Sequence, residues 1–171
     1  MTKAQTTEEM QLETVKFLSL GGEEDVTRNM YVYEYKDQIL LVDCGLGFPD
    51  ETMLGVDLLL PDITYLLRNS MPEGKAKKKI VGMLLTHGHE DHIGGLPYIV
   101  PQLPSFPVYG APLTAALANE KLTEFQTGTS VQAVPFTPGI KVTAKFLNWA
   151  IAKLSSSIVP VAPAAVHDRV A

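Results

Sequence analysis

Apolar positions along this chain come in short runs. Val15–Leu18 and Met30–Tyr35 cluster or alternate β-branched and aromatic residues with polar ones, and Gln38–Val42 is a compact apolar run. Such stretches fit half-buried strands. Lys36-Asp37 separates the last two as a turn signal, which predicts a hairpin. Ile80–Leu85 is apolar almost throughout, as in a strand covered on both faces, and Phe106–Tyr109 is a further strand candidate. Pro61 opens a predicted helix through Leu67, with Ile63, Leu66 and Leu67 at helical spacing. A short helix is expected over Ile93–Val100, weakened by Pro97 and stopped by Pro101 and Pro104. Thr114–Phe125 reads as a longer helix, with Leu113, Leu117 and Leu122 near one face and Glu120, Lys121 and Glu124 on the other. Val131–Phe136 and Ile140–Phe146 are strand-like pieces joined across Pro138-Gly139, and beyond Leu147 neither period is sustained. Strands alternating with helices predict an α/β or layered α+β architecture.

Composition narrows the class. The chain has 171 residues, 46% of them hydrophobic and 19% charged, which excludes disordered and collagen-like proteins. Its longest charge-free stretch, Ile93–Asn119, is interrupted by five prolines, so no membrane span is expected. Met1–Thr14 is polar and lacks the apolar centre of a secretory signal, and residues 1–13 are expected to be a mobile lead-in. The single cysteine, Cys44, cannot form an internal disulfide, which suits a reducing, cytoplasmic setting. The net charge of −5 argues against a protein that holds nucleic acid by net charge alone. That charge is unevenly spread: residues 1–125 carry 10 basic and 18 acidic groups, residues 126–171 carry 4 and 1.

The chemistry concentrates in Thr86-His87-Gly88-His89-Glu90-Asp91-His92, which holds three of the four histidines. This chain's own His and Asp frequencies would produce that spacing by chance on the order of 10⁻⁴ times. Imidazole nitrogen and carboxylate oxygen are the donors that Zn²⁺ and similar cations take. His87 and His89 stand two apart at a strand end, so both rings face one side, with Gly88 between them adding no side chain to crowd the site. Asp91 and His92 begin the next helix and approach from another angle, which suggests a second metal and a two-metal hydrolytic centre. Gly94-Gly95 would let that helix pack close beneath the site. Asp43, at the end of a predicted strand, is expected to orient the ligands from behind, or else to cap a turn. Lys75, Lys77, Lys78 and Lys79 read as a solvated basic loop, Cys44 as a buried inert thiol and His167 as an ordinary solvated side chain.

His87-Gly88-His89-Glu90-Asp91-His92 resembles the signature of the metallo-β-lactamase fold superfamily. Flanking blocks resemble one branch of it, the bacterial ribonuclease J family of the β-CASP group. These are Gly21-Gly22 through Asn29-Met30-Tyr31-Val32, Val42-Asp43-Cys44-Gly45-Leu46-Gly47-Phe48-Pro49, Met53–Asp57 with Pro61-Asp62-Ile63, Leu85–Pro97, and Pro107-Val108-Tyr109-Gly110. Together they run from about Val15 to Phe125. The resemblance implies the N-terminal part of an αββα sandwich over residues 14–147, incomplete within this chain, followed by an atypical Ala/Val/Ser/Pro-rich tail over 148–171. His87 and His89 would ligate one metal, Asp91 and His92 the other, with Asp91 and His92 also serving catalysis and Asp43 matching the family's first-motif aspartate. It further implies two zinc ions, or manganese in their place, an RNA substrate cut from the 5′ end and internally, a cytoplasmic location without membrane attachment, and homo-oligomers of the full-length enzyme. The family's later His is expected near Ser156-Ser157-Ile158-Val159-Pro160, where Ser stands instead, so a truncated or frameshifted chain is expected. Two other readings stand beside the ribonuclease: a non-catalytic fragment of such an enzyme, and a small-molecule metallo-hydrolase of the same fold.

Overall fold

In the computed structural model, which describes residues 14–23, 26–71 and 78–135, the apolar runs become six strands of one sheet. They are β1 (Lys16–Gly21), β2 (Met30–Tyr35), β3 (Gln38–Val42), β4 (Lys79–Leu85), β5 (Val108–Gly110) and β6 (Val131–Ala133), and their spatial order is their sequence order. The first three form an antiparallel meander and the last three add in parallel. The predicted hairpin turns at Lys36-Asp37, with Lys36 in the left-handed region at φ 54°. Parallel pairing needs crossovers, and the helices supply them: α1 (Thr64–Ser70) between β3 and β4, α2 (Glu90–Ile93) and α3 (Leu96–Ile99) before β5, and α4 (Pro112–Glu124) before β6. Two compact units divide the chain, Met1–Phe136 and Thr137–Ala171, and every described residue belongs to the first. Ile140–Phe146, the 148–171 tail, Ser156–Pro160, His167 and the lysines at 75 and 77 lie outside the described residues.

Strand periodicity sorts β2 cleanly: Met30, Val32 and Glu34 are buried, while Tyr31, Tyr33 and Tyr35 are half-buried. The buried set continues across the sheet through Ile39, Leu41, Ile80, Met83, Leu85, Val108 and Val131, and meets Leu66, Ile93, Leu96, Ile99, Ala118 and Leu122 from the helices in one core. On the other side the register aligns Tyr31 with Val42, Val42 with Leu84 and Leu84 with Tyr109. Phe17 stacks on Tyr31 at this sheet edge, ring centroids 5.8 Å apart.

Three expected helices shift. Pro61 precedes α1 rather than opening it, because Asp62 Oδ1 accepts the Thr64 N–H at 2.8 Å and so starts the helix later. The helix expected over Ile93–Val100 splits at Gly94-Gly95, and a 3₁₀ turn over Val100–Gln102 follows α3. In α4 the inward face is Thr114, Ala115, Ala118 and Leu122, whereas Leu113 is 73% exposed and Leu117 41% exposed. The small side chains of Thr114, Ala115 and Ala118 let α4 lie close on the core, which outweighs the larger leucines at 113 and 117. No described helix is long and apolar enough to cross a membrane.

One ionised group lies inside the core face. Glu34, 3% exposed, accepts from Lys78 Nζ at 2.6 Å and from the Tyr65 hydroxyl, and Lys16 Nζ stands 3.6 Å away. Burial pushes its pKa up, but the Lys78 and Tyr65 hydrogen bonds outweigh that and leave it below the usual carboxylate range. Burial and the bond to Glu34 push the Tyr65 hydroxyl up; for Lys78 the carboxylate prevails over burial and raises the ammonium's pKa.

Candidate metal centre

The C-terminal ends of β3 and β4 deliver Asp43 and Thr86 side by side, and the Asp43 N–H donates to the Leu84 carbonyl at 2.9 Å. Asp43 is 1% exposed and holds a left-handed backbone at φ 60°. For a non-glycine residue that conformation costs on the order of 1 kcal/mol and persists only where surrounding bonds dictate it. Here they do. Asp43 Oδ1 accepts the Thr86 N–H at 2.8 Å, and Oδ2 accepts both the Thr86 hydroxyl and His92 Nδ1–H at 2.8 Å.

These bonds assign the protons. An ionised carboxylate only accepts, so the hydrogen between Asp43 and His92 sits on Nδ1, while Nε2 faces Asp91 Oδ2 at 3.2 Å. The Thr86 hydroxyl spends its single hydrogen on Asp43 and can only accept from His87 Nδ1, 3.0 Å away, which leaves His87 Nε2 bare. One buried carboxylate therefore sets the tautomers of two histidines, one directly and one through a hydroxyl. The two rings lie 4.0 Å apart between centroids, and His89 stands edge-on to His87 at 4.7 Å.

Asp91 and His92 ride on α2, a single helical turn whose carbonyls would mostly lack partners. The loop after β3 supplies them: Cys44 N–H donates to the His92 carbonyl at 2.8 Å and Leu46 N–H to that of Glu90 at 3.1 Å. The Asp91 carbonyl accepts from the Asn29 N–H at 3.0 Å. This close pairing requires glycine at 45, since a Cβ there would lie 1.7 Å from the Asp91 carbonyl oxygen. Gly95 meets the same loop from below, and its N–H donates to the Cys44 carbonyl at 2.8 Å. Cys44 itself is fully buried, and burial together with neighbouring Asp43 drives its thiol pKa far up, which leaves it inert.

Gly88 has a second reason beside the expected one. A Cβ there would lie 2.6 Å from Leu117 Cδ1, so its bareness also makes room for α4. Of the basic loop, Lys79 opens β4 and Lys78 is engaged with Glu34.

As a donor set, bare imidazole nitrogens and a carboxylate suit a borderline divalent cation. Asp91 Oδ2 stands 3.2 Å from His92 Nε2, and the His87 ring lies between those of His92 and His89. Among the described residues no three His, Cys, Asp or Glu side chains surround a single point, one short of the three protein ligands of a catalytic zinc.

Over residues 24–143 the sequence matches the metallo-beta-lactamase superfamily. The chain belongs to that superfamily. Its mixed α/β sheet is part of a metallo-beta-lactamase domain, and the metal cofactor that the superfamily implies fits these donors. Among the chain's matches are several ribonucleases J. The ribonuclease J of a Synechocystis species is 46% identical over 114 residues, 67% of this chain and 17% of that protein. The ribonuclease J of Thermus thermophilus is 44% identical over 115 residues, covering 65% of this chain and 19% of the relative. Ribonuclease J 2 of Staphylococcus aureus is 43% identical over 108 residues, covering 63% and 18%. The chain thus spans less than a fifth of the length of the curated relatives it matches. Asn29 is the functional candidate that sequence reasoning missed: it stands 62 residues from Asp91, and only the fold brings its side chain there.

Proposed function

We propose that this chain carries the metal-binding segment of a ribonuclease J-type enzyme, a metal-dependent hydrolase acting on RNA from the 5′ end and internally. One observation carries the reading: Asp43 Oδ2 bonds His92 Nδ1 directly and reaches His87 Nδ1 through Thr86, an arrangement suited to presenting Nε2 to a cation, in a chain similar to ribonucleases J over residues flanking that motif. In this reading His87 and His89 hold one ion and Asp91 and His92 the other, with zinc the preferred metal and manganese the alternative. When bound, the metals would supply Lewis-acid activation of water for attack on a phosphodiester phosphorus. Asp43 keeps the rings aimed and in the required protonation state. Thr86 carries that control to His87. Asp91 and His92 are the side chains nearest the reaction. Cytoplasmic residence and self-association of the enzyme belong to the same proposal.

Calorimetric titration with zinc is expected to show two ions per chain. Metal-dependent release of nucleotides from 5′-phosphorylated RNA, abolished by Asp91→Ala, is expected of the enzyme that carries this segment. Turnover of a chromogenic lactam without any action on RNA would overturn the substrate assignment; millimolar zinc affinity would instead favour a non-catalytic segment.

A further inference from the structure

Asn29 sits immediately before β2, is 7% exposed, and lies outside the histidine motif. Its backbone already belongs to the site: the N–H donates to the Asp91 carbonyl, and its carbonyl accepts the Gly45 N–H at 2.9 Å. The side chain does more. The two hydrogens of Nδ2 are shared among three acceptors within reach, the Asp91 carbonyl at 3.0 Å, the Val26 carbonyl at 3.1 Å and Asp91 Oδ2 at 3.2 Å. The same nitrogen is 3.4 Å from His92 Nε2. On its other side, Oδ1 accepts from the Tyr31 hydroxyl at 2.9 Å.

That arrangement admits one orientation of the amide. Turned over, Oδ1 would face three oxygens that offer it no hydrogen, while Nδ2 would meet only the tyrosine hydroxyl. Tyr31 projects from the sheet face opposite the core, so a strand residue and a motif residue are joined through a single carboxamide. The carboxamide grips one particular oxygen of Asp91, and this sets the rotation of that carboxylate. It also stands beside Nε2 of His92. Asn29 is therefore at the corner where the two donors of the Asp91/His92 pair meet, while no bond joins it to His87 or His89.

We propose that Asn29, clamped by Tyr31, is the positioning residue of the Asp91/His92 pair: it sets the direction in which the Asp91 carboxylate offers itself to a cation. The inference rests on the two-ion reading above and adds to it a residue that acts on one ion and leaves the other alone.

Cobalt(II) titration of the full chain, followed by its visible absorption bands, separates the two ions. In a His89→Ala background only the Asp91/His92 ion is expected to bind. Asn29→Ala in that background is expected to weaken this ion by roughly 10–100-fold and shift its absorption band. Asn29→Ala alone is expected to leave the His87/His89 ion within about twofold. Tyr31→Phe, which keeps the ring and removes only the hydroxyl, is expected to give a several-fold loss at the same ion, and it keeps the proposal testable if Asn29→Ala does not fold. Unchanged cobalt affinity in both variants would overturn the role of Asn29, as would equal weakening of both ions, the mark of a merely structural residue. If the unmodified chain binds no cobalt, the two-ion reading itself fails and the role of Asn29 goes with it.

Discussion

Among the described residues two carboxylates are buried, one in the sheet and one just past the end of a strand, and they are satisfied in opposite ways. Glu34, on β2, is neutralised by a lysine at 2.6 Å, with a tyrosine hydroxyl as second donor and an exposed lysine 3.6 Å away. Asp43, past the end of β3, accepts instead from a backbone N–H, a hydroxyl and an imidazole. Its bonds thereby orient the imidazoles of His92, directly, and of His87, through Thr86. A carboxylate paired with its own ammonium stabilises a fold. One surrounded by orientable neutral donors organises a site.

The sharpest test of the second region is the glycine that lets it close. Gly45→Ala places a methyl 1.7 Å from the Asp91 carbonyl oxygen and 2.8 Å from the Asn29 nitrogen, both backbone atoms that cannot step aside. A loss of about 4 kcal/mol or more in urea unfolding is expected, among the large values reserved for such clashes. Next comes the direct contrast between the carboxylates. Asp43→Ala is expected to lower zinc affinity by roughly 10–100-fold and to cost about 2 kcal/mol of stability, because Thr86 and His92 lose their acceptor. Glu34→Gln is expected to destabilise by about 2 kcal/mol, the half-solvated Lys78 softening the loss of a buried pair, and to leave zinc affinity unchanged in calorimetry. Equal metal affinity in the two variants would erase the distinction drawn between the regions.

Acid separates them further. Because the folded pKa of Glu34 is depressed, its contribution is fully present above the ordinary carboxylate value of roughly 4.3 and is lost as pH falls through the lower, folded value. Urea midpoints measured from pH 7 down to pH 3 are expected to show that acid limb in the unmodified chain and a shallower one in Glu34→Gln. The smallest effect is expected at Gly88→Ala, where the new methyl meets only the end of a half-exposed leucine: less than about 1 kcal/mol, relieved by Leu117→Ala. A loss of metal at Gly88→Ala would support the expectation that this glycine clears space for the ligands.

Much of this was legible along the chain. Period-two alternation placed β2 to the residue, and the Lys36-Asp37 signal placed its turn, because both are local properties of backbone and solvent. The His87–His92 cluster announced metal chemistry through residue type and spacing alone. The helices were read less well. In α4 the leucines at 113 and 117 looked like the buried stripe, yet alanines face the core, since how closely a helix can approach depends on what it approaches. Asn29 stood in a family-like block with no role attached, as an asparagine before a strand is unremarkable until the fold sets it against Asp91.

By itself, then, the sequence determined the alternation of strands and helices, the class of metal donors and the kinship with the ribonuclease J branch, all of which reside in neighbouring residues. Only the tertiary structure decided that Asp43 governs two histidines, that Glu34 is balanced by Lys78, and that Asn29 reaches across 62 residues to hold Asp91. Those are contacts between segments far apart along the chain. Their distances are set by how the sheet packs and where its loops close, which no local pattern encodes.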